Sequence, residues 1–131
     1  MQYVMLIYEP EKNFEDRSRP DDDAFWGPWR AYHRSLIESG IYLGGSALER
    51  PDPTATTVRV RGGERQVQDG PYADTKEQLG GFIMLELPTL DAALEWASRC
   101  PAASYGAVEV RPAADLAPIF GPGHQYLPRR G

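Results

Sequence analysis

The stretch GFIMLELP, residues 81–88, is apolar on both faces of an extended chain. Successive side chains alternate across a strand, so Phe82 and Met84 share one face, and Ile83, Leu85 and Leu87 share the other. Such a strand needs cover on both sides. QYVMLIYE, residues 2–9, has the same two-sided character and is rich in Val, Ile and Tyr.

The elements around these two strands give the plan. Residues 24–39 show helical spacing, and Gly40 is a good helix stop. GIYLGGSALE (40–49) reads as a second strand. ATTVRVRGGERQVQ reads as a hairpin, with Val58 and Val60 on one face, Arg59 and Arg61 on the other, and Gly62-Gly63 at the turn. TLDAALEWASRC (89–100) is a helix with Thr89 as N-cap and Asp91 in its first turn, stopped by Pro101. YGAVEVRP (105–112) is the last strand. PEKNFEDRSRPDDD (10–23) is polar, carries two prolines and reads as a long loop.

The order strand, helix, strand, hairpin, strand, helix, strand is that of a ferredoxin-like α+β domain: an antiparallel sheet with two helices on one face and an extra β-hairpin. Residues 1–111 form that domain, and 112–131, rich in Pro and Gly, form a C-terminal tail or arm. Two helices cover only one face of the sheet. A second copy of the chain is the simplest cover for the other, which predicts a homodimer with the sheets face to face.

Composition narrows the function classes. A chain of 131 residues can bury a real core as one domain. The net charge of −5 argues against non-specific nucleic-acid binding. No apolar run approaches the length of a membrane span, and the start MQYVMLIYEPEK has no signal-peptide pattern. A single cysteine, Cys100, excludes an internal disulfide and fits a reducing, cytoplasmic setting. Twelve arginines against two lysines suit a GC-rich, bacterial genome. Two histidines and one cysteine without ligand spacing predict no metal, and no cofactor motif is present.

The helix over 24–39 supplies the candidate site. At about 100° per residue from Phe25, Trp29 falls near 40°, Tyr32 near 340°, Leu36 near 20°, Trp26 near 100° and Ile37 near 120°. His33 falls near 80°, inside this aromatic arc. It is either a core histidine with satisfied ring nitrogens or a pocket histidine acting as acid or base. Pro28 suits a first helical turn, so an alternative start at Gly27 leaves Asp21 to Trp26 as a separate turn.

A second candidate lies in QVQDGPYADTKEQLGG, residues 66–81. Structurally, Asp69 can cap an Asx turn through Gly70-Pro71, while Asp74 and Glu77 form a capping box that opens a short helical turn. Functionally, Asp69 can bring a carboxylate to His33, as general base catalysis requires. Lys76 can attract an anionic group, and Tyr72 can pack or donate a hydroxyl.

The segment DGPYADTKEQLGGFIMLEL resembles the signature of the YCII-related, DGPF-type family. LEWASRCPAASYGAVEVRP resembles its closing helix and strand, and YVMLIY and ESGIYLGGSAL match its pattern. The resemblance implies a dimeric α+β barrel. Some relatives are similar to lyases that eliminate chloride from chlorinated hydroquinones, and a His–Asp pair is proposed in others. That implies Asp69, with His33 as its partner, as the catalytic residues; the helix arc and the loop themselves add Trp26, Trp29, Tyr32, Tyr72, Asp74 and Lys76 around a small-molecule substrate. The expected function is cofactor-free proton transfer on an aromatic or cyclic molecule, of lyase, isomerase or cyclase type. The alternatives are a non-catalytic small-molecule-binding or regulatory dimer and a protein-interaction module.

Overall fold

The computed structural model describes residues 1–73 and 75–121. Its elements run β1 (Gln2–Pro10), α1 (Glu11–Arg17), α2 (Asp23–Glu38), β2 (Tyr42–Ala47), α3 (Pro51–Thr54), β3 (Thr56–Arg61), β4 (Glu64–Asp69), β5 (Glu77–Glu86), α4 (Leu90–Arg99), α5 (Ala102–Tyr105), β6 (Ala107–Pro112) and α6 (Ala117–Phe120). The main sheet has the order β2-β5-β1-β6, and every neighbouring pair is antiparallel. With β3 and β4 set aside, this is the ferredoxin-like arrangement. Among the described residues no helix is long and apolar enough to cross a membrane.

The two-sided strands behave as their alternation requires. Tyr3, Met5 and Ile7 of β1 and Leu85 of β5 are buried against the helices, with Ile83 packed beside them. Tyr32 and Leu36 of α2 and Ala93 and Ala97 of α4 meet them and close the core. On the opposite face Val4, Leu6, Tyr8, Phe82 and Met84 are only half-buried.

Local chemistry sets the boundaries. The Asp22 side chain accepts from the Phe25 amide and caps α2, and Thr89 accepts from the Ala92 amide and caps α4. Gly62 and Gly63 take positive φ, 58° and 79°, the pairing a two-residue hairpin turn demands. The hairpin forms a separate two-stranded sheet whose Val58, Val60 and Val67 remain exposed.

Three local expectations are corrected. Residues 11–17 are helical rather than loop, because Phe14 is a buried anchor and Glu11 and Arg17 sit at the helix ends that favour their charges. The helix α2 runs continuously through Pro28 from the Asp22 cap, so no separate turn precedes Gly27; Pro28 forfeits one helix hydrogen bond. Glu77 opens no helical turn. It begins β5, opposite Pro10, and the strand passes straight through Gly80-Gly81. Glycine is required at Gly81, where a Cβ would lie 2.7 Å from the Ser46 carbonyl oxygen.

Candidate active site

Near the start of α2 the helix stands off the sheet over a cavity of about 230 Å³. Its walls are Phe25, Trp26, Trp29 and Tyr42, and His33 stands at its side. The sheet side is open because Gly45, Gly80 and Gly81 bring no side chains. Gly80 is the extra residue of a β-bulge opposite Ile7 and Tyr8, a distortion common beside functional sites.

On the cavity floor lies Glu9, 2% exposed. Strand alternation puts it on the same face as Tyr3, Met5 and Ile7, and so on the helix side. Such a carboxylate requires partners. Arg17, delivered by α1, donates from Nη1 to Glu9 Oε2 at 2.7 Å and to the Gly80 carbonyl at 3.0 Å. The Tyr105 hydroxyl donates to Glu9 Oε1 at 3.0 Å and accepts from Trp29 Nε1–H at 2.9 Å. Burial, opposed by the Trp29 hydrogen bond and reinforced by the Glu9 charge, raises the Tyr105 pKa, which keeps it a hydroxyl donor. Gly80 makes room for the pair, since a Cβ there would lie 2.4 Å from Glu9 Oε2. The result is one chain of polar groups, Trp29–Tyr105–Glu9–Arg17–Gly80, under an aromatic roof.

The structure brings together His33, Trp26 and Trp29 and leaves the other sequence candidates elsewhere. His33 is exposed at the cavity rim, with its ring edge-on to Tyr42 at 5.0 Å between centroids. The buried arc of α2 is narrower than its sequence suggests. Tyr32 and Leu36 are its centre, Ile37 is 53% exposed, and His33 falls on the flank. Tyr32 is a core residue here. Its hydroxyl donates to the Trp96 carbonyl at 2.7 Å, and burial raises its pKa. Asp69 and Tyr72 line a different, wider hollow with Asp52, Pro53 and Arg59. Tyr72 is 76% exposed, beneath the Arg59 guanidinium. Lys76 lines a third hollow with Glu11, Phe14 and Arg50. No hydrogen bond or ion pair joins His33 and Asp69 among the described residues, and Asp74 lies outside those residues. The turn around Asp69 is held instead by Thr57 Oγ1, donating to the Gly70 carbonyl at 2.8 Å, and by the Gly70 amide, donating to the Ala55 carbonyl.

Sequence reading passed over Glu9, Arg17 and Tyr105. The signal for Glu9 was present: a carboxylate in step with three core side chains of a strand. Arg17 had no such signal, because its helix carries one apolar anchor and no periodicity. Among the described residues no three His, Cys, Asp or Glu side chains converge as a metal site requires.

The chemistry available is therefore hydrogen bonding and proton exchange at Glu9 and His33, beside flat aromatic surfaces suited to a planar ligand. Residues 1–117 match the family of YCII-related domains. An uncharacterized protein of Rhizobium meliloti (strain 1021) is 38% identical over 125 residues, which cover 94% of this chain and 97% of that protein. Among solved structures, the 5-chloro-2-hydroxyhydroquinone dehydrochlorinase of Burkholderia phenoliruptrix AC1100, in complex with 2,5-dihydroxybenzoquinone, is similar at a TM-score of 0.49 and 16% identity. That likeness covers 87% of this chain and 94% of the other.

Proposed function

Because this chain belongs to the YCII-related family, we propose that it is a cofactor-free enzyme carrying out proton transfer on a small aromatic or cyclic molecule, with His33 as an acid or base. The observation that carries this reading is the cavity itself: about 230 Å³, walled by two tryptophans, a phenylalanine and a tyrosine, with an imidazole at the rim. Aromatic walls hold a planar ring by stacking. An imidazole beside it exchanges protons near neutral pH more readily than most side chains. Elimination, isomerisation and cyclisation each begin or end with such a transfer. Asp69 belongs to this reading only as a turn residue of the protomer, since it lines another hollow.

The test is turnover of aromatic and cyclic candidates by the wild type and by His33→Ala. Conversion by the wild type and none by the variant supports the reading. Equal conversion by both contradicts the role of His33. One observation favours a non-catalytic binder: among the described residues no hydrogen bond or ion pair joins His33 to a carboxylate, and its ring stands against Tyr42. A compound that binds in the cavity and is returned unchanged would select that second reading.

The protein is further proposed to work as a homodimer in the cytoplasm. The half-buried row Val4, Leu6, Tyr8, Phe82 and Met84 on the face away from the helices supports a second copy as its cover. A reduced, buried Cys100 suits a reducing compartment. Sedimentation at micromolar concentration should give twice the chain mass of 14.6 kDa, and a single-chain mass would contradict the dimer.

A further inference from the structure

We infer that Glu9 is the carboxylate that serves this cavity, and that it selects an uncharged planar ring bearing an O–H or N–H donor; the inference rests on the cavity being a small-molecule site. A carboxylate oxygen has two acceptor positions. Arg17 occupies one on Oε2 and Tyr105 one on Oε1, so each oxygen keeps a further position. The carboxylate is thereby fixed in place with acceptor capacity to spare.

The Glu9–Arg17 pair on the cavity floor disfavours charged ligands there. Arg17 is committed to Glu9 and to the Gly80 carbonyl, so its charge is already matched. An anionic ligand would meet the Glu9 carboxylate. A cationic ligand would compete with Arg17, which the pair geometry and the burial of both side chains hold in place. A neutral donor meets neither obstacle: it gives its hydrogen to Glu9 while its ring lies against Trp26 and Trp29. Tyr105 is the weaker acceptor for such a ligand, because its hydroxyl is neutral and already accepts from Trp29 and donates to Glu9. Where a reaction follows, the same oxygen is placed to take the donated proton and return it, with no other reagent required.

The experiment is calorimetric titration with phenol and indole, each against its methylated counterpart, anisole and 1-methylindole. Wild type should bind the donor compounds about tenfold more tightly than the methylated ones, the discrimination of one charge-assisted hydrogen bond. In Glu9→Gln, which keeps a neutral amide acceptor and loses the charge, that ratio should fall to about threefold or less, and an unchanged ratio would overturn the inference. Should Glu9→Gln not fold, Tyr105→Phe is the companion variant. It frees a position on Oε1 and leaves the carboxylate, so the ratio should hold or rise, and its loss would overturn the inference. Equal binding of donor and methylated compounds by wild type would overturn the role of Glu9 while leaving the cavity a binding site. No binding of any of the four by folded wild type would overturn both.

Discussion

Replacing Glu9 by leucine should be among the most damaging single changes in this chain, and replacing its partner as well should repair most of the damage. The Glu9 and Arg17 side chains are 3% and 14% exposed, and their nearest atoms are 2.7 Å apart. Glu9→Leu removes the acceptor for a nearly buried guanidinium and for the Tyr105 hydroxyl. Breaking a buried ion pair by removing one partner costs about 3–5 kcal/mol, because the survivor remains charged and desolvated. Arg17→Met should cost a comparable amount, since it strands the more deeply buried member. The double variant Glu9→Leu/Arg17→Met strands neither charge and replaces the pair with apolar groups of similar bulk. It should lie within about 2 kcal/mol of wild type, most of that cost being the Tyr105 hydroxyl left without its acceptor. Urea denaturation followed by tryptophan fluorescence reads this directly, since Trp29 is bonded into the same network. With a slope of about 2 kcal/mol per molar, each single variant should lower the midpoint by about 2 M and the double variant by less than about 1 M. Additive costs in the double variant would refute the reasoning, as would a single-variant cost below about 1 kcal/mol, because either would mean that the pair is effectively solvated.

Two further outcomes follow from the same geometry. His33→Ala should change stability by no more than about 0.5 kcal/mol, because the ring is exposed and stands T-shaped against Tyr42; a loss of about 2 kcal/mol or more in a thermal melt would make it a structural residue. Burial pushes the Cys100 thiol up to about 11 and also raises Tyr32 and Tyr105, so each of these groups releases its proton more readily in the unfolded chain. Their contribution to stability is complete below the unfolded-chain value, which for the thiol is about 9, and is lost as pH rises toward the raised folded value. Melting temperature should therefore fall between pH 9 and 11, and one that stayed level or rose over that range would contradict the burial of these groups.

The fold was largely legible because it is written in short-range chemistry. The alternation of 81–88 groups Ile83, Leu85 and Leu87 on one face, Gly62-Gly63 marks the hairpin turn, and Thr89 caps its helix, each within a few residues of the effect. The 11–17 helix was hidden because seven mostly charged residues hold only Phe14 as an anchor. The site divides in the same way. Trp26, Trp29 and His33 share a flank of one helix, so helical period alone groups them. The exact centre of the buried arc depends on what the sheet presents, which is why Tyr32 belongs to the core and His33 to the rim. Glu9 was readable from strand parity. Its partners were not, since Arg17, Tyr105 and Gly80 come from three other elements and converge only through tertiary packing. The same limit applies to Asp69: nothing local to 66–81 fixes which hollow the turn borders.

The central claim is that the space between α2 and the sheet is where this protein receives small molecules. Three tryptophans test it: Trp26 and Trp29 line that space, whereas Trp96 packs under Arg99 between the two main helices and borders a separate groove. A nitrogen–proton NMR spectrum of the tryptophan side chains, recorded while a set of small aromatic compounds is titrated in, reports each site separately. The account predicts saturable shifts of the Trp26 and Trp29 indole N–H signals with Trp96 unmoved. Compounds that shift Trp96 alone, or that leave Trp29 unmoved throughout, would contradict it.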